Sequence, residues 1–148
     1  MQINTSRFGT LDVDKEELIT FSEGLLGFPD LKEFIIIEHP GGPFQWIQSA
    51  DDANVAFPTL DPAWAKNEYS ARLEDADLKM LNLGPEGGDI ILLATVNVTE
   101  PSNPTINLLA PICISVETRH GVQVVQHNSG MSTRQPLVTT TSAERRVA

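Results

Sequence analysis

A single cysteine, Cys113, stands in the whole chain, so no disulfide can form within it, and the cysteine content is that of a reducing compartment. Positive charge is scarce too. Ten Lys and Arg face twenty Asp and Glu, a formal net charge of -10 that disfavours contact with nucleic acid phosphates or an anionic membrane surface. The longest apolar stretch, Ile90 to Val98, is interrupted by Thr95 and Asn97 and falls far short of a membrane span. Met1 to Thr5 contain no basic region leading into an apolar run, so no signal peptide is expected. Repeats and low-complexity linkers are absent. These absences leave a soluble, cytoplasmic protein with no membrane and no direct nucleic acid partner, for which a basic macromolecule is the natural complement.

At 148 residues the chain suits one globular domain with one core. Short period-two stretches recur between turn residues, which predicts a mostly β, compact, single-domain, β-barrel-like fold with one or two short helices. Leu11 and Val13 alternate with Thr10 and Asp12, and Ile19 and Phe21 flank Thr20. Phe34-Ile35-Ile36-Ile37 reads as a strand buried on both faces. Trp46-Ile47 and Val55-Ala56-Phe57 predict a hairpin with Asp51 and Asp52 at its tip. In Ile90 to Val98, Thr95 and Asn97 lie on one face and Val96 and Val98 on the other. Ile112, Ile114 and Val116 enter a second hairpin that turns at Thr118 to Gly121. Asp75 is expected to cap a short helix through Leu78 and Leu81, ended by Gly84 and Pro85. Asp61-Pro62 starts a single turn that presents Trp64. The domain is expected over residues 1–138, with a polar tail over 139–148.

Acidic residues cluster in two windows, and the second, with Asp51, Asp52, Asp61, Glu68, Glu74, Asp75 and Asp77, suggests a negative face that steers a basic partner. The bland alternative is a set of solvated turns and caps. Paired carboxylates such as Asp51 with Asp52 or Asp75 with Asp77 also serve glycoside hydrolysis, but that chemistry needs a desolvated carboxyl group and these lie in polar stretches. Cys113 could serve as a nucleophile only with a histidine brought close in space. His39, His120 and His127 have no partner at ligand spacing, so no metal, cofactor or enzymatic activity is expected. Gly24-Leu25-Leu26-Gly27-Phe28 sets large apolar side chains between glycines in a loop, where they either plug the core or present an apolar patch. A self-assembling structural β-module and a small carboxylate-dependent hydrolase stand as the alternatives to a protein-binding role.

Gly24 to Phe28, Phe44-Gln45-Trp46-Ile47-Gln48-Ser49, Phe57 with Asp61-Pro62, and Thr105 to Ile112 together resemble the FliW family of flagellar assembly factors. The Asn-Leu-x-Ala-Pro segment, Asn107 to Pro111, is the most specific part. Arg134 to Leu137 resembles the family's closing Arg-x-Pro-Leu, while Met131 stands where the family usually has tyrosine. The resemblance implies a flagellar assembly factor that binds flagellin near its C-terminal region and also binds the RNA-binding repressor CsrA, relieving repression of flagellin synthesis. The clustering of its carboxylates makes the second acidic window the expected surface for CsrA, whose RNA-binding role demands cationic surface. Leu25, Leu26, Phe28, Phe44, Trp46 and Ile47 would form the apolar groove for flagellin. Asn107, Leu108 and Pro111 are expected to be structural: Pro111 forces a break in its strand, and Asn107 bonds the backbone there. The free protein is expected to be monomeric.

Overall fold

Alternating apolar residues and the turns between them set the strand order of the computed structural model, which describes residues 1–127 and 129–137. The tail expected over 139–148 lies outside the described residues. β1 (Gln2–Thr5) and β2 (Gly9–Asp12) make a separate hairpin. β3 (Ile19–Thr20), β4 (Glu33–Glu38), β5 (Gln45–Ser49) and β6 (Ala56–Leu60) follow, then a 3-10 turn at Pro62–Trp64 and the helix α1 (Asp75–Met80). The chain continues through β7 (Ile90–Asn97), β8 (Thr105–Ile106), β9 (Ile112–Ser115), β10 (Gly121–Gln123) and β11 (Gln135–Pro136). The main sheet runs in the order β10-β9-β7-β6-β5-β4-β3, every pairing antiparallel, with β8 and β11 added beside the end of β7.

Phe21, Phe34, Ile47, Leu93, Ile112 and Ile114 are fully buried and form the main core. The Phe21 and Phe34 rings meet edge to face at 5.4 Å, the arrangement their quadrupoles favour. Phe34 and Ile35 are neighbours in one strand and so point to opposite faces, yet both are buried. The reason is the β1–β2 hairpin, whose Ile3 packs with Val13 and Ile35 over the outer face of β4. A third cluster, Leu60, Ala94, Val96, Ile106 and Leu108, lies under Tyr69, Met131 and Leu137.

The sheets do not close into the expected barrel. β6 and β7 share two pairs, Thr59 with Thr95 and Leu60 with Ala94, and then part. At the other seam β3 and the β10 edge meet at one isolated parallel bridge, Thr20 with His120, where the Thr20 amide donates to the Arg119 carbonyl at 3.0 Å. β3 is two residues long, and Arg119 sits in the left-handed region at φ 57, so the chain turns before a ladder can grow.

Three local expectations also change. Glu74, not Asp75, is the N-cap of α1: its side chain accepts from the amide of Asp77, while the Asp77 carboxylate accepts the Glu74 amide at 2.8 Å. The helix ends at Met80 with Leu81 as its C-cap, before Gly84, because Asn82 turns left-handed at φ 58. β9 stops at Ser115, leaving Val116 about half exposed. Among the described residues no helix is long and apolar enough to cross a membrane.

Candidate functional site

The acidic residues of the second window are spread over the β5–β6 turn, the far end of β6, the segment after it and α1. Asp51 and Asp52 lie in the β5–β6 turn and Asp61 at the opposite end of β6, so a five-residue strand, roughly 17 Å, separates them. Glu74 caps α1, which carries Asp75 and Asp77 and packs near β10. Most of these carboxylates have structural partners: Asp51 accepts the amides of Lys32 (3.0 Å) and Glu33 (3.1 Å), Asp52 that of Asn54 (2.9 Å) and Asp61 that of Ala63 (2.9 Å). Glu68 is exposed in a left-handed turn residue at φ 60, and Asp75 is exposed on the helix. The turn-and-cap reading therefore describes where these groups sit, while their charges still add to one negative field. No pair among them is desolvated as a glycosidase acid must be.

The apolar set divides as well. Leu25 and Ile47 are buried in the main core and leave the patch, because the period-two alternation of β5 turns Ile47 inward and Trp46 outward. Leu26 is exposed, its amide fixed to Gln123 Oε1 at 2.9 Å, and Phe28 packs edge to face on Phe57 at 5.3 Å between centroids. Phe44 and Trp46 instead come together with His39, Pro58 and Val98 around an apolar hollow of about 160 Å³. Trp46 is held from the other side by Phe8, edge to face at 5.7 Å, and by the Arg7 guanidinium 4.4 Å from its ring centre. Of the six apolar residues, Phe44 and Trp46 are the two that border this hollow. Pro58, Val98 and the largely exposed Trp64 were not assigned to it or to any patch from sequence, and the Asp61-Pro62 turn was the one signal for Trp64.

Asn107, Leu108 and Pro111 belong to a long bulge between β8 and β9. Val96 faces Ile106 and Leu93 faces Ile112, so the five residues Asn107 to Pro111 stand opposite Ala94 and Thr95 alone. Asn107 Oδ1 accepts the amides of Leu109 (3.1 Å) and Ala110 (3.0 Å), which satisfies two donors that the broken ladder leaves without partners. The Tyr69 hydroxyl donates to the Leu108 carbonyl at 2.6 Å and pins the bulge from outside. Burial, and then the neighbouring Cys113, push the Tyr69 hydroxyl up to about 12. Cys113 is fully buried, and burial followed by the charge of Asp77 pushes its thiol up to about 12. A thiol held protonated and out of solvent is no nucleophile. Among the described residues no group of His, Cys, Asp and Glu could hold a metal ion.

Where β6 and β7 part, a cleft of about 520 Å³ opens at the end of the main core. Thr95, Asn97, Thr105 and Asn107 line it with Arg134, against Phe57, Pro58 and Val98. The alternation of Thr95 and Asn97 was legible in the sequence; the arrival of Arg134 beside them was not.

The chain matches known proteins across nearly all of its described length. The family profile described as FliW protein matches residues 2–137. The flagellar assembly factor FliW of Bdellovibrio bacteriovorus is 34% identical over 140 residues, covering 94% of this chain and 80% of that protein. Its counterpart in Pseudothermotoga lettingae is 34% identical over 134 residues, covering 89% and 85%. A crystal structure of the flagellar assembly factor FliW superposes with a TM-score of 0.87 at 27% identity, covering 96% of this chain and all of the other.

Proposed function

Since the chain belongs to the FliW family, we propose that it works in flagellar assembly as a cytoplasmic, non-catalytic binding protein that holds flagellin and CsrA and so links flagellin synthesis to assembly. The family match over residues 2–137 carries this reading.

Physical features of the chain support it. A net charge of -10 speeds association with a cationic RNA-binding protein, and a negative body held near that protein's RNA surface lowers its RNA affinity. No single acidic patch is required for either effect. The hollow bounded by Phe44 and Trp46 offers a small apolar seat for the apolar side of an amphipathic helix such as a flagellin end forms. Leu26 and Phe28 lie elsewhere on the surface and would make at most a second contact.

Replacing Trp46 by Ala and Val98 by Ser tests the assignment. Flagellin binding should weaken about tenfold or more while CsrA binding holds. Unchanged flagellin binding in a folded variant overturns the placement at the hollow.

A further inference from the structure

We propose that the cleft between β6 and β7 binds a carboxylate carried on an apolar body. Strand alternation places Thr95 and Asn97 on the face of β7 that carries Leu93 into the main core, so that face changes from apolar to polar along the strand. β6 leaves β7 at the same point, which opens the polar half to solvent. Thr105 stands opposite Asn97, and the Asn107 amide donates to the Thr95 carbonyl at 2.9 Å, so both neighbours reach the cleft from the paired chain. Arg134 joins them from just before β11.

Hydrogen-bond accounting gives the cleft its character. Asn97 Oδ1 accepts from the Thr99 amide (2.9 Å) and hydroxyl (2.6 Å), and Asn107 Oδ1 from the amides of Leu109 and Ala110. With both oxygens engaged, what each asparagine has left for the cleft is its side-chain nitrogen, which only donates. The Arg134 guanidinium likewise donates and accepts nothing. Among the described residues no Asp or Glu lines this cleft, although the chain carries a net charge of -10. Donors of this kind around one guanidinium suit an oxyanion, and a planar fork suits a carboxylate. Phe57, Pro58 and Val98 supply an apolar wall, which favours a carboxylate with an apolar body over strongly hydrated inorganic phosphate.

The carboxylate belongs either to a free small acid or to the C-terminus of a polypeptide. This proposal stands apart from the partner reading, and its probes need neither flagellin nor CsrA. The test is nitrogen-proton NMR of the whole protein titrated with N-acetyl-leucine, with N-acetyl-leucinamide, with inorganic phosphate, and with a longer peptide ending in a free leucine carboxylate. The acid and the peptide should shift the side-chain amide signals of Asn97 and Asn107, and the neutral amide should not. Tighter binding of the peptide than of the small acid assigns the site to a chain terminus; equal binding assigns it to a small acid. Arg134→Gln should weaken binding about tenfold with the melting temperature unchanged, since Arg134 is exposed. Silence toward both acids, equal response to the neutral amide, binding of phosphate as tight as that of the acids, or unchanged affinity in Arg134→Gln would each overturn the proposal.

Discussion

The Phe21 ring occupies the place where a side chain on Gly121 would begin: a β-carbon built there lies 2.4 Å from Phe21 Cε2 and 2.5 Å from Cζ. Phe21 is fully buried and Gly121 opens β10, so this contact lets the chain pass close beside β3 at the seam where Thr20 and His120 meet. Gly121→Ala must displace a ring locked in the core. It should cost about 1–3 kcal/mol, read as a lower thermal midpoint. An unchanged midpoint would mean that the seam is not closely packed.

Asn107→Ala removes the acceptor for two backbone amides inside the bulge and should destabilise the protein by about 1–3 kcal/mol in urea unfolding. Asn107→Asp keeps an oxygen in place and should retain most of that stability. Equal loss in both variants would contradict the assigned role.

High pH should act through Tyr69 and Cys113. Both groups are neutral when protonated, and both have folded values near 12, above ordinary values of 10.0 and 9.0. The folded chain therefore holds these protons more tightly than the unfolded chain does. Their contribution is full below about pH 9 and is lost as pH rises from there through 12. Urea melts at stepped pH should show this fall, and Tyr69→Phe should flatten part of it. In the native protein Cys113 should resist a thiol reagent at pH 8 and react on unfolding; rapid native reaction would contradict its burial.

Much of the fold was legible because its signals are local. The β5–β6 hairpin with Asp51 and Asp52 at its turn, the Asp61-Pro62 turn and the break around Pro111 each follow from residues adjacent in sequence. Groupings that depend on how distant strands meet were not legible. Asp51 and Asp61 are ten positions apart, yet a strand carries them to opposite ends, whereas Arg134 reaches Asn107 only through the pairing of β11 with β8. Ile47 and Trp46 are neighbours with opposite fates for the same reason of alternation, and without the third dimension both looked like patch residues.

Neutralising acidic residues should separate structure from field. Asp51→Asn weakens the charge-assisted acceptor for Lys32 and Glu33 and should cost about 1 kcal/mol of stability. Glu68→Gln with Asp75→Asn should leave the melting temperature within about 2 °C and slow CsrA association only slightly, as two charges of a spread field would. A collapse of CsrA binding in that pair would instead locate a contact patch there.

Titration of the unmodified protein against flagellin and CsrA from one flagellated host, at low and at high salt, tests the central claim most directly. The account predicts micromolar or tighter complexes with both, with CsrA association slowing steeply as salt rises. Failure to bind either one in dilute buffer would contradict it.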